Sequence, residues 1–180
     1  MSNTKNIFGG IKMNKYEEGL TIIEESFGNG KDNVISLATI GLGLNDENKP
    51  RPAVRSVDAY YEDGVFYTIT YATSNKMQQI AENSEASVSA TFESESGQVW
   101  FTSNAVGENL GWVLDAKNAE IRTKLRKAFA AWYDFANDEN DPNCCYLAIR
   151  LTKGVINKNH FQMLYHMDFI NKTAEKVQNR

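Results

Sequence analysis

Asp63-Gly64 is the feature that most constrains the fold. It separates two runs, 53–61 and 65–72, that are rich in apolar, aromatic and β-branched residues. An Asp-Gly pair between two such runs is a strong signal for a two-residue hairpin. Strands joined so tightly must be antiparallel. The same grammar recurs along the chain. Val34 to Leu44 is apolar and partly β-branched, and the polar run Asn45-Asp46-Glu47-Asn48-Lys49-Pro50 after it reads as a turn. Ala86 to Phe92 and Gln98 to Val106 are two further strands, with a polar turn from Glu93 to Gly97 between them. Tyr146 to Leu151 and Phe161 to Phe169 are the last two.

Helices punctuate this series. Tyr16, Leu20, Ile23 and Phe27 recur at steps of three and four and form one apolar stripe, which Gly28-Asn29-Gly30 ends. A short helix runs from about Ser74 to Asn83 and carries Met77 and Ile80. A long amphipathic helix follows the fifth strand, capped by Asp115, with Ile121, Leu125, Phe129 and Trp132 on one face. Antiparallel strands with helices at the ends predict a mainly β, α+β domain closed or partly closed into a barrel. The expected organisation is an N-terminal arm at 1–13, one domain over 14–170, and a polar tail at 171–180 that frays.

Composition limits what such a domain does. With 19 Lys and Arg against 23 Asp and Glu, the net charge is −4, and no basic block suits nucleic acid or an anionic membrane surface. No apolar run reaches the ~20 residues of a membrane span, and the start lacks the apolar core of a secretory signal. Cys144 and Cys145 are adjacent, which disfavours a mutual disulfide, and free thiols suit a reducing, cytoplasmic setting. His160 and His166 stand at no metal-binding spacing.

The richest stretch for chemistry is TYATSNKMQQI, residues 70–80. A strand ends and a helix begins there, with Thr73 or Ser74 placed to cap it. Free N–H groups at a helix start attract anions, whereas Lys76 in that first turn is electrostatically disfavoured unless an anion lies between them. The competing reading is a solvated surface lysine. Arg55 alternates onto the same face as Ala53, Val57 and Ala59. A guanidinium on an apolar face needs a carboxylate, a phosphate or a polar cofactor edge; Asp58 and Glu62 are the available acids. Gln98 could present its amide to a heterocycle or simply face solvent. Trp100, Trp112 and Trp132 suit either a ring stack or the core.

Taken in order, these segments resemble the pyridoxamine 5'-phosphate oxidase-like family of FMN-binding split barrels. The resemblance rests on ISLATI, on KPRPAVRSVDAYYEDGVFYTITYATSNKMQQIAENSEASVSATF, and on QVWFTSNAVG. It covers about Val34 to Val106, with looser agreement to about Phe169. It implies an antiparallel Greek-key split β-barrel with flanking helices and FMN as cofactor. It further implies a homodimer with the flavin at the two-fold, and an oxidoreductase acting between a reduced nicotinamide, NAD(P)H, and a small molecule. By the same resemblance Arg55, Ser56 and Val57 line the flavin, and Thr70 lies near the phosphate and ribityl chain. Ser74, Asn75 and Lys76 form the phosphate turn, and Gln98 reaches the cofactor. Asn75 stands where the oxidases carry a second basic residue. HFQMLYHMDF lacks their Arg-x-His substrate signature, which points to the general flavin-binding branch and away from vitamin B6 oxidation. A flavin-binding module without turnover, and a barrel that holds haem or another ligand, are the alternatives.

Overall fold

The computed structural model describes residues 13–94, 97–160 and 162–178. The expected arm at 1–13 lies outside these residues except for Met13, as do Glu95 and Ser96 of the expected Glu93–Gly97 turn, Phe161, and the last two residues of the expected tail. The elements run α1 (Lys15–Phe27), β1 (Asn33–Leu44), β2 (Pro50–Glu62), β3 (Val65–Tyr71), α2 (Asn75–Glu82), β4 (Glu85–Ser94) and β5 (Gly97–Trp112). A 3-10 turn (Ala116–Asn118) leads into α3 (Ala119–Ala128) and α4 (Tyr133–Ala136), followed by β6 (Cys144–Lys158), β7 (Met163–Asp168) and β8 (Thr173–Gln178).

The strands form one antiparallel sheet in the order β3-β2-β1-β4-β5-β6-β7-β8, and a β3–β6 pairing closes six of them into a barrel. β1–β2–β3 is a meander and β4 returns beside β1, which is the Greek-key arrangement. β6 serves two partners in turn. Its first half, Cys144–Arg150, pairs with β3, and its second half, Lys153–Lys158, pairs with β7, while β5 flanks it throughout. The split of the barrel is this change of neighbour.

Local chemistry explains most element boundaries. Asn14 caps α1 by accepting from the N–H groups of Tyr16 and Glu17, and the Glu17 carboxylate accepts from the Asn14 N–H, a full capping box. Asp63 and Gly64 both adopt positive φ, 48° and 79°, as a two-residue hairpin requires. The Gly64 N–H donates to the Tyr61 hydroxyl and ties the turn to the core.

Two apolar clusters result. The larger fills the barrel. α1 plugs one end, with Phe27 edge-on to Phe66 and Phe92 and tilted against Phe101. α2 closes the other end with Met77 and Ile80. Gly107 lets Ile80 lie directly on β5, since a Cβ there would sit 2.8 Å from Ile80 Cδ1. The smaller cluster lies outside the barrel wall, where Leu125, Phe129 and Tyr133 cover Tyr60, Ile69 and Tyr146.

Three expectations are corrected. The long helix is interrupted: α3 ends at Ala128, and Phe129 and Trp132 stack at 4.7 Å in the turn before α4. The Trp132 indole N–H reaches back to Asp32, which anchors that turn away from helical geometry. Asp115 precedes a 3-10 turn and makes no side-chain cap. The stretch read as a fraying tail from 171 contains β8, paired with β7 over six residues, so the sheet extends past residue 170.

Candidate functional site

α2 brings the predicted phosphate residues to one corner of the barrel. Thr70, buried near the end of β3, has its hydroxyl 3.3 Å from the Ser74 hydroxyl. Ser74 stands at the N-cap of α2 in an extended conformation, and its side chain makes no capping bond. The Met77 and Gln78 N–H groups bond to the Ser74 carbonyl, so those of Asn75 and Lys76 remain at the open end of the helix. Asn75 is exposed and Lys76 half-buried. Burial first, and then the Arg55 guanidinium, lower the Lys76 pKa from the usual ammonium value. Among the described residues, Lys76 has neither a hydrogen-bond acceptor nor a carboxylate partner.

Arg55 enters the same corner from β2. Its neighbours by alternation, Ala53, Val57 and Ala59, point inward with it, as the sequence predicts. The acids expected as alternative partners do not hold it. Glu62 pairs with Lys124, and no carboxylate among the described residues lies within ion-pair distance of Arg55. Its Nη1 donates to Thr39 Oγ1 at 2.6 Å and to the Leu37 carbonyl at 3.3 Å, and its Nη2 donates to Gln79 Oε1 at 2.8 Å. Every one of these acceptors is neutral. Burial lowers the Arg55 pKa as well.

Thr39 and Gln79 are the residues that sequence reasoning missed. Both are buried. Thr39 is the third inward position after Ile35 and Leu37. Gln79 sits between Met77 and Ile80, which face the core. A polar residue on each of two apolar faces was the available signal.

The remaining predicted residues separate. Val57 is buried beside Arg55 in the barrel. Ser56 points outward, opposite Ser36. Gln98 lies at the far end of the barrel, where its amide donates to Glu93. It is five residues along β5 from Ser103, the β5 member of the Arg55–Leu37–Val88–Ser103 row, or about 17 Å. Within one chain it does not meet the α2 corner.

A second feature is a groove of about 960 Å³ on the outer face of the sheet. One cross-strand row on that face reads Ser56, Ser36, Ser89, Thr102, Val155, His166 and Glu175. Among the described residues no helix covers it, and Val34 and Val54 beside it are 66% and 68% exposed. The tryptophans are engaged elsewhere. Trp112 donates to the Glu139 carbonyl, Trp132 donates to Asp32, and Trp100 meets the His160 ring edge-on. Cys144 and Cys145 are free and buried, and burial raises their thiol pKa values to about 12 and about 11. Among the described residues no helix is long and apolar enough to cross a membrane.

The sequence matches no protein-family model and no curated protein. Solved structures do share the fold. A pyridoxamine 5'-phosphate oxidase-related, FMN-binding protein from Nostoc punctiforme is 15% identical at a TM-score of 0.55, over 95% of this chain and 100% of that one. A haem-binding protein from Mycobacterium smegmatis is 16% identical at 0.58, over 94% of this chain; the chain spans 60% of that protein's length. HutZ, a haem storage protein from Vibrio cholerae, is 10% identical at 0.53, over 77% of this chain and 91% of that one. The fold is therefore the antiparallel split β-barrel of the pyridoxamine 5'-phosphate oxidase-like proteins.

Proposed function

We propose that this chain is an FMN-binding protein of that class, a homodimer that transfers hydride or electrons between a reduced nicotinamide and a small-molecule acceptor. One observation carries the reading. Arg55 and Lys76, both partly desolvated, share a corner with an open helix N-terminus and, among the described residues, no carboxylate partner. Two like charges so placed favour an anion between them, and a phosphate supplies acceptors for both cations and for the free N–H groups. Arg55, Lys76, Ser74, Asn75 and Thr70 would hold the phosphate end. The row of small side chains on the outer face leaves room for a flat ring beside Ser56 and the β2 backbone. Bound flavin supplies hydride or electron transfer at its N5 position, and the protein's part is binding, orientation and exclusion of water.

Dimer formation is supported by that same uncovered face, whose exposed valines a second copy would bury. Gln98, remote within one chain, would meet the cofactor from the partner's side. Sedimentation at micromolar protein should give twice the 20.3 kDa chain mass. A species at the chain mass with cofactor bound would refute the dimer.

A second reading has one observation in its favour. His166 lines the groove and is exposed, and an imidazole so placed could ligate haem iron. The absorption spectrum of the purified protein separates the two: flavin bands favour FMN, whereas a Soret band lost in His166→Ala favours haem. Anaerobic addition of NAD(P)H then tests turnover. Bleaching of the yellow colour supports the oxidoreductase, and persistence of the colour supports a binding module.

A further inference from the structure

We infer that Gln79 fixes Arg55 in place without neutralising it, and thereby sets the site's preference for a dianionic phosphate monoester. The inference rests on the FMN reading above. Gln79 follows Lys76 by three residues, so the two share one side of α2. The Gln79 carbonyl oxygen accepts from Arg55 Nη2 at 2.8 Å and from the Thr39 hydroxyl at 2.5 Å, and that hydroxyl in turn accepts from Arg55 Nη1 at 2.6 Å. This closed triangle leaves the guanidinium one orientation. A guanidinium has five N–H donors. The Thr39, Leu37 and Gln79 contacts use three, and among the described residues Nε–H and one Nη2–H have no protein acceptor.

The choice of an amide is the telling part. A glutamate at 79 has the same length and could make both contacts. It would also pair with Arg55, the usual arrangement for a partly buried guanidinium. With glutamine the corner keeps the full charge of Arg55 and Lys76, two positive charges in all. A phosphate monoester carries about −1.5 to −2 at neutral pH, which matches them. Gln79 is on this account a positioning and specificity residue that acts through Arg55.

Gln79→Glu tests it, with FMN and riboflavin titrated against apo protein by fluorescence quenching. The expected result is FMN affinity at least tenfold weaker, riboflavin affinity within twofold of wild type, and an apo melting temperature that does not fall. A residue with a merely structural role would weaken both ligands and lower the melting temperature together. If Gln79→Glu fails to fold, Gln79→Met serves. It removes the acceptor, and it should weaken FMN several-fold while sparing riboflavin; unchanged FMN affinity there overturns the inference. A wild type that prefers FMN, with a folded Gln79→Glu that keeps the same preference, overturns the role of Gln79 alone. A wild type that binds riboflavin as tightly as FMN overturns the phosphate reading and the inference with it.

Discussion

Two regions of this molecule handle positive charge in opposite ways. On the α3–α4 side, cations meet acids. Arg122 and Arg126 pair with Glu139, Arg126 also with Asp134, and Lys124 with Glu62 and Glu120. The Tyr133 hydroxyl donates to Glu139 and lies 2.6 Å from the Tyr146 hydroxyl, so the network reaches into the smaller core. At the α2 corner, neither Arg55 nor Lys76 has a carboxylate partner among the described residues, and the acceptors of Arg55 are all neutral. The first region has the form of a closed structural unit. The second withholds compensation, an arrangement that is unfavourable for the empty protein and suited to binding an anion. Mutations should therefore separate stability from affinity according to the region they touch.

The largest expected effect is on the first region. Phe129 is fully buried in the smaller cluster. Phe129→Ala should cost about 3–5 kcal/mol of stability, read by urea denaturation, while the protein that stays folded keeps its flavin affinity. A loss of affinity in step with stability would show that the two regions are coupled.

Glu139→Ala should come next, at about 2–3 kcal/mol, because charge-assisted bonds from Arg122, Tyr133 and Arg126 lose their acceptor together. Acid should reproduce part of this loss. The Arg122 hydrogen bonds hold the Glu139 carboxyl down at about 2, against an ordinary 4.5. A depressed carboxyl stabilises the fold fully above its unfolded value, and the contribution disappears as pH falls through the folded one. Wild type should lose this contribution between about pH 4.5 and pH 2, and Glu139→Gln should lack that component. Parallel acid-stability curves would contradict the assignment.

The smallest effect tests the border between the regions. Cys145 lies opposite Thr70 across the β3–β6 pairing, and Lys76 is near enough to lower its thiol pKa against the larger, raising effect of burial. Replacing Cys144 and Cys145 together with serine should lower stability by about 1–2 kcal/mol and leave flavin content intact. A folded, flavin-free double variant would make Cys145 part of the site.

How much of this the sequence announces depends on whether the signal is local. The Asp63-Gly64 turn, the apolar stripe of α1 and the Arg55 alternation are properties of neighbouring residues, and they survive folding unchanged. The strands are longer than their apolar runs. β5 continues through Gly107, Glu108 and Asn109 because β6 keeps pairing with it. β6 continues past Thr152, where its register against β5 shifts, because β7 pairs with Lys153 and Gly154. β8 carries only Ala174 and Val177 as apolar residues and exists because β7 offers an edge. At the α2 corner, Lys76 and Arg55 stand out as misplaced cations. Thr39 and Gln79 stay hidden because their role appears only when β1, β2 and α2 converge.

The central claim is that the α2 corner holds an anion, and Lys76→Ala tests it most directly. Lys76 has no protein partner among the described residues, so its removal should leave the apo protein at least as stable as wild type. FMN affinity, titrated by fluorescence quenching, should fall roughly ten- to a hundredfold, the equivalent of about 1.5–3 kcal/mol for a lost charge-assisted contact, while riboflavin binds both proteins equally. An FMN affinity unchanged in Lys76→Ala would contradict the account and return that lysine to the solvated surface.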